Sequence, residues 1–209
     1  MVKHTQESLG SVACTVLLAT VLWFISFYLD WLVFWYKISV SAIIMAGLSL
    51  LLQKGRYDRL NFNSRTILVG IGSAGVLYGV FYAGKMVSTF MLPFAAQQIQ
   101  SIYGKGNGTP LWTIMLLLCF ITGPAEELYW RGFLQKNLMN RFGGWQGWLL
   151  STAVYSGVHI GSFNFMLIGA AAVAGAFWGA MYWRFKDLTP VIISHAIWSS
   201  VIFAVRPMG

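Results

Sequence analysis

Charged residues are scarce in this chain. Only 10% of its 209 residues are Asp, Glu, Lys or Arg, whereas 57% are hydrophobic. Because an ordinary soluble domain is about 25% charged, this composition excludes that class and indicates a membrane protein. The apolar stretches are long and continuous rather than alternating, which favours transmembrane helices over a membrane β-barrel.

Cysteine is nearly absent as well, and the net charge of +8 is not concentrated in one polar region. Cys14 and Cys119 both lie within apolar segments, so we expect two small buried residues rather than a disulfide or a metal pair. The basic residues are spread between apolar blocks. They indicate membrane topology and not a nucleic-acid partner.

The hydropathy pattern predicts an all-α transmembrane bundle of seven spans, forming a single integral membrane domain over residues 1–209. The N-terminal segment is long enough to span and no small-residue cleavage pattern follows it, so we expect a retained helix rather than a signal peptide. The sixth span is rich in Gly and Ala, which let neighbouring helices approach closely. The predicted spans cover residues 11–28, 31–52, 66–83, a stretch from 111 through two adjacent glutamates, 145–160, 163–183 and 188–205.

Residues 87–103 leave an eighth span possible. This segment begins apolar and becomes polar at Gln97, so it fits an extension of the third helix, a re-entrant piece or a weak span. With seven spans and a cytoplasmic N-terminus, three basic groups lie on the cytoplasmic side, whereas an eighth span would place two of them outside. The positive-inside rule therefore favours seven. The groups are Lys54, Arg56, Arg59 and Arg65, then Lys136 and Arg141, then Arg184 and Lys186.

Acidic residues number only six, and two of them, Glu126 and Glu127, lie in an apolar segment. An ionisable residue at membrane depth is costly and indicates a functional role by default. Residues four apart on a helix face each other, so Glu127 is predicted to pair with Arg131. Adjacent helical residues point about 100° apart, which turns Glu126 towards other partners. A simpler interpretation is that Pro124 and the two glutamates form only a favourable first turn of a helix.

Histidine is equally rare, with three in the chain. His4 lies in the polar N-terminal tail, whereas His159 and His195 lie in the fifth and seventh spans, with Ser199 one turn after His195. If these histidines converge with Glu126, carboxylate and imidazole can activate a water and stabilise an oxyanion. The same three side chains could instead hold a zinc ion, with the other glutamate as base. Taken singly, each histidine is more often a core residue with satisfied hydrogen bonds.

At these residues the chain resembles the CAAX-protease and bacteriocin-processing (CPBP) family of intramembrane endopeptidases. The family pattern is Glu-Glu-x-x-x-Arg, then Phe-x-x-x-His, then a His followed four residues later by Asn or Asp. The resemblance covers about residues 110–205. The corresponding stretches are Glu126-Glu127-x-x-x-Arg131, then Tyr155-x-x-x-His159, whose two named residues share a helix face, and His195-x-x-x-Ser199, which departs from the pattern.

The resemblance implies an intramembrane endopeptidase that cuts a membrane-tethered protein or peptide within the lipid bilayer. It also implies a multi-pass protein of a prokaryotic cytoplasmic membrane, which we expect to have its N-terminus inside. A serine hydroxyl at position 199 has one donor where an Asn amide has two. The implied roles are activation of water by Glu126 and His159, stabilisation of the oxyanion by His195 and Ser199, and support of the site by Glu127 and Arg131.

We expect no cofactor, because no third histidine or cysteine pair at membrane depth completes a metal shell. A zinc-dependent version of the same protease is the alternative within that class. A non-catalytic membrane protein, such as a bacteriocin self-immunity factor, is the alternative outside it, and Ser199 is compatible with lost activity. A proton-coupled transporter also uses acid and histidine sets, but the chain shows no inverted repeat or paired broken helices.

Overall fold

A computed structural model describes residues 7–54, 58 and 60–207 of the chain. Over these residues the protein consists of helices and connecting turns with no β-strand, which confirms the all-α prediction. His4, Arg56 and Arg59, which are named in the sequence analysis, lie outside the described residues. The helices are α1 (Leu9–Tyr28), α2 (Phe34–Gln53), α3 (Ser64–Met91), α4 (Ala95–Gly104), α5 (Leu111–Phe142), α6 (Gly144–Gly157), α7 (Phe165–Phe185) and α8 (Thr189–Val205).

Five of the described helices, α1, α2, α3, α5 and α7, are long and apolar enough to cross a membrane. Helix α8 is apolar but shorter. Helix α6 has only 14 residues, which at ~1.5 Å per residue is about 21 Å and less than the ~30 Å hydrocarbon core. The protein is therefore an integral membrane protein, and the count of seven spans stays a prediction.

The segment at residues 87–103 does not form a separate span. Helix α3 continues to Met91, and after a break the 10-residue helix α4 begins at Ala95. The first part of the segment is thus an extension of the third helix, which is one of the three interpretations that the sequence left open. The second part, at ~1.5 Å per residue, is far too short to cross a bilayer.

Helix α5 carries the two glutamates and continues through Pro124 without ending. The N–H of Gly123 bonds to the carbonyl of Leu118, five residues back, so a π-helical turn directly precedes the proline. A proline ring clashes with the carbonyl four residues before it, and the wider turn relieves that contact. A second π-helical turn covers Trp130–Gln135. The glutamates therefore lie on a short α-helical stretch between two π-helical turns.

Small residues bring α7 and α6 close together. A Cβ added to Gly175 would lie 2.9 Å from Tyr155 Cδ1, and one added to Gly179 would lie 2.7 Å from Trp148 Cδ1. Both distances are shorter than real Cβ contacts, so only glycine permits this approach. The close approach that small residues allow is therefore observed between α7 and α6.

Helix α3 packs on α8 mainly through its first half, and Phe81 of its second half also contacts Trp198, with 4.6 Å between ring centroids. Gly70, Ala74 and Leu77 are its buried residues, and Gly70 faces Ile193 so closely that an added Cβ would lie 2.6 Å from Ile193 Cγ2. Beyond Leu77 no residue of α3 is buried. This second half of the helix forms one wall of the cavity described below.

The expectation of two buried cysteines is wrong. Both are free, as predicted, but Cys14 is exposed on α1 and Cys119 is only partly buried. An apolar residue of a soluble protein is usually buried against other residues, whereas in a membrane protein the outer face of the bundle is apolar because it contacts lipid. An apolar sequence neighbourhood therefore does not predict which face a residue occupies.

Candidate active site

Glu127 is fully buried and joins two groups from different helices. Its Oε1 accepts a hydrogen bond from Arg131 Nη1 at 2.8 Å and lies 2.6 Å from His195 Nδ1. Arg131, one helical turn away, has the position predicted from the four-residue spacing, and its Nη2 donates to the Gly175 carbonyl at 3.4 Å. These contacts connect α5, α7 and α8 through one buried ion pair.

The ring of His195 is fixed on two sides. An ionised carboxylate only accepts hydrogen bonds, so Nδ1 donates to Glu127 and Nε2 points away from it. The ring face stacks on Trp178, with 3.9 Å between ring centroids and 18° between planes. Trp178 is itself held by a hydrogen bond from Nε1 to Ser194 Oγ at 3.1 Å. Trp178 was not predicted as a site residue, and its place in a run of small residues gives no signal for this role.

Glu126 has a different environment from its neighbour. It is buried, and its Oε2 accepts a hydrogen bond from the Tyr155 hydroxyl at 3.3 Å. Tyr155 belongs to α6, so this contact brings the predicted motif on α6 to the glutamates on α5. The predicted division, with Glu127 paired to Arg131 and Glu126 turned elsewhere, is observed.

His159 lies just beyond the end of α6, packed among aromatic rings. Its Nδ1 is 2.8 Å from the Tyr155 carbonyl oxygen, which only accepts, so Nδ1 carries the proton and Nε2 is the free nitrogen. Its ring lies 5.2 Å from that of Tyr155 and 5.6 Å from that of Phe27, measured between centroids. Among the described residues, no direct hydrogen bond or ion pair joins His159 to Glu126.

A single cavity of about 500 Å³ connects these groups. Its wall is mostly apolar and aromatic. Ser199, one turn beyond His195, also lies in the wall and is buried, whereas Glu127 and Arg131 lie behind it. The charged or histidine side chains of the wall, within the described part of the chain, are Lys85, Glu126, His159 and His195.

The zinc alternative requires Glu126, His159 and His195 to converge on one point. Within residues 7–54, 58 and 60–207, no group of three His, Cys, Asp or Glu side chains is placed to hold a metal ion. The Nδ1 atom of each histidine contacts a protein oxygen, which leaves the Nε2 atoms as the nitrogens that a ligand would meet. The three side chains line one cavity.

Comparison with known families matches the segment that carries this site. Residues 108–201 match the family model described as type II CAAX prenyl endopeptidase Rce1-like. Comparison with curated proteins gives no match, and neither does comparison with solved structures. The matched segment begins just before α5 and contains all of the residues named from the family pattern. Over residues 108–201, which are less than half of the chain, this integral membrane protein is therefore similar to the Rce1-like type II CAAX prenyl endopeptidases of the CPBP family.

Proposed function

We propose that this protein is an intramembrane endopeptidase that hydrolyses a peptide bond of a membrane-tethered protein or peptide. The observation that carries the proposal is the convergence of Glu126, His159 and His195 on one apolar cavity from three separate parts of the chain. Residues 108–201, which contain these side chains, also match a family model described as a type II CAAX prenyl endopeptidase. A cavity of about 500 Å³ is also large enough for a short peptide segment, since small-ligand sites are typically ~300–1,000 Å³.

The proposed reaction begins with a water bound between Glu126 and His159. Glu126 takes a proton from this water as its oxygen attacks the scissile carbonyl carbon, while His159 Nε2 accepts the second hydrogen bond of the water. The Tyr155 hydroxyl orients the carboxylate through the contact to Oε2. Glu126 then returns the proton to the leaving nitrogen as the carbon–nitrogen bond breaks. The products are a free carboxyl group and a free amine, so atoms and protons balance.

His195 and Ser199 are proposed to stabilise the negative oxygen of the tetrahedral intermediate. With its Nδ1 held by Glu127, a protonated His195 presents Nε2–H towards the cavity. The Ser199 hydroxyl, one turn further along α8, can supply a second donor. Donors fixed in a water-poor site stabilise such an oxygen more strongly than water does. Arg131 contributes indirectly, since it neutralises Glu127 and holds it in position.

We further propose that the reaction needs no metal ion. Activity should survive dialysis against a strong chelator, and the active protein should contain no stoichiometric zinc by elemental analysis. If activity is lost on chelation and restored by added zinc, this part of the proposal is wrong, although the protease assignment would stand.

The deciding experiment compares new chain termini in membrane fractions from cells that produce the wild type or Glu126→Gln. Because a general base contributes about 10²–10⁴-fold to rate, products of the wild type should fall below detection with Glu126→Gln. Asp30→Asn is the matched control, since it makes the same carboxylate-to-amide change at an exposed loop residue. Equal cleavage by Glu126→Gln and by Asp30→Asn would discard the mechanism.

A non-catalytic role, such as self-immunity to a bacteriocin, is the second candidate. The observation that favours it is Ser199, which stands where the family carries Asn or Asp. This role predicts that protection of a producing cell persists when both Glu126 and His195 are replaced by alanine. Loss of protection in that variant, with normal amounts of protein in the membrane, would contradict the non-catalytic role and favour the protease.

A further inference from the structure

Positive charge is concentrated at one end of the bundle, here called the basic end. It comprises the start of α1, residues 54, 58 and 60–64, the α5–α6 junction and the α7–α8 junction. Contacts hold these parts together, among them Lys136 Nζ to Asp58 Oδ1 at 2.6 Å and Asn61 N to Thr189 Oγ1 at 2.8 Å. The basic residues of this end in the described part of the chain are Lys54, Arg65, Lys136, Arg141, Arg184 and Lys186.

The opposite end comprises the α1–α2 loop, the end of α3, α4, the start of α5, residues 158–164 and the end of α8. Its described basic residues are few, and two of them are bound to the protein: Lys105 Nζ donates to the Phe27 carbonyl at 3.1 Å, and Lys37 Nζ donates to the Leu29 carbonyl. Arg206 is the third, and Lys85 lies six residues before the end of α3, in the cavity wall. Because lysine and arginine accumulate on the cytoplasmic side of membrane proteins, the basic end is assigned to the cytoplasm.

The cavity extends from the catalytic groups away from the basic end. Along α5 the wall contains Leu118 and Thr122 and stops at Glu126, while along α8 it starts at His195 and continues to Phe203. On the side of the basic end, the site is closed by side chains with almost no exposure, namely Leu134 at 0%, Leu188 at 1% and Val191 at 0%. A polypeptide therefore has no path to the site from the basic end.

The mouth of the cavity lies between α3 and α7. Every exposed residue of the wall belongs to one of these two helices. On α7 these residues fall within its first nine positions, which begin at the opposite end, and on α3 they fall in its second half, which runs to the same end. The exposed wall residues are Val80 and Gly84 on α3 and Phe165, Gly169 and Val173 on α7.

We infer that the substrate enters sideways between α3 and α7 from the non-cytoplasmic half of the membrane, so that the cleaved bond belongs to an exported segment of a membrane-tethered peptide. The exposed residues of the mouth are apolar, which suits a chain that is already in the bilayer, and the polar wall residues Lys85 and Ser88 beside them are only partly exposed. That a substrate enters this cavity rests on the proposed function, whereas the direction in which the cavity opens does not.

Thiol accessibility on one helix tests the direction. A chain with Cys14→Ser and Cys119→Ser has no other cysteine, and neither residue lines the cavity. Into it is placed either Ser88→Cys, in the cavity wall near the end of α3, or Ser64→Cys, exposed at the basic end of the same helix. A membrane-impermeant maleimide is then applied to intact spheroplasts and to lysed membranes.

If the cavity opens to the non-cytoplasmic side, Ser88→Cys should react equally in spheroplasts and lysed membranes, and Ser64→Cys should react only after lysis. The reverse pattern overturns this sidedness, and so does a Ser88→Cys chain that reacts in neither preparation. Phe165→Cys, which is 60% exposed on the facing wall, is the second probe if Ser88→Cys does not accumulate in the membrane, and the same outcomes apply to it. Cleavage is measured separately, by comparing the wild type with Glu126→Gln. If labelling is as expected but no cleavage is found, only the proposed function is wrong. If cleavage is found but labelling is reversed, only the direction of entry is wrong.

Discussion

Replacing Arg131 with methionine should destabilise the protein severely. Arg131 is 1% exposed and Glu127 is 0% exposed, with 2.8 Å between Nη1 and Oε1. Removing one member of a buried ion pair leaves an uncompensated charge, which costs about 3–5 kcal/mol. The substitution also removes the guanidinium from above the Tyr155 ring, whose centroid is 4.8 Å away. A typical domain is stable by only about 5–15 kcal/mol, so this loss is a large fraction of the total free energy of unfolding.

The double variant Glu127→Gln/Arg131→Met separates the charge effect from lost packing. Each single change leaves one member of the ion pair without the other, whereas the double change removes both. Its loss should therefore be well below the sum of the single losses, with a coupling on the order of 1–3 kcal/mol. Free energies of unfolding come from titration with a denaturing detergent, followed by tryptophan fluorescence or circular dichroism.

The surface pair of Lys136 and Asp58 provides the control. Its atoms are 2.6 Å apart, but the side chains are 27% and 19% exposed, and exposed pairs contribute about 0–1 kcal/mol. Lys136→Met should therefore shift the midpoint far less than Arg131→Met. If the two substitutions cost the same, or if the two losses at Glu127 and Arg131 simply add, the buried pair does not have the role given to it here.

Two further changes test close packing and the oxyanion site. Gly147→Ala would place a Cβ 2.3 Å from the backbone nitrogen of Met139 and should lower the free energy of unfolding by about 1–3 kcal/mol, measured by thermal unfolding in detergent. Gly72→Ala, with no atom within 4 Å of the added Cβ, should instead raise it by about 0.5–1 kcal/mol. Equal effects of the two substitutions would contradict the geometry. Ser199→Asn adds a donor and should raise kcat by up to about 10²-fold with little change in KM for a cleaved peptide; an unchanged kcat would show that position 199 does not contact the oxyanion.

The sequence predicts contacts within a helix far better than contacts between helices. The Glu127–Arg131 pair and the shared face of Tyr155 and His159 follow from the four-residue spacing alone, because helix geometry fixes them. The stacking of Trp178 on His195 depends on how α7 and α8 rotate against each other. Single-sequence hydropathy contains no information on that rotation, so this residue could not be found.

Helix ends are the second limit of the sequence analysis. The apolar run at residues 145–160 predicts a span, but α6 ends at Gly157 and His159 follows it. The turn past the helix end is apolar on both sides. Gly161 lies so close to α1 that an added Cβ would be 2.8 Å from Phe24 Cδ2, while Ile160 and Phe163 are exposed on the outer face of the bundle. The predicted span at residues 145–160 therefore extends three residues beyond the end of α6.

The two adjacent glutamates show why the site needs both a buried arginine and a cavity. A single guanidinium can neutralise one carboxylate, and Arg131 is engaged by Glu127. An ionised Glu126 would then have the Tyr155 hydroxyl as its protein partner, which is insufficient where an unpaired buried charge costs several kcal/mol. Water in the adjoining cavity would supply the missing solvation. On the proposed mechanism the molecule that keeps Glu126 charged is also the nucleophile, so filling the wall beside Glu126 with a larger apolar side chain should abolish hydrolysis and stabilise the neutral acid together.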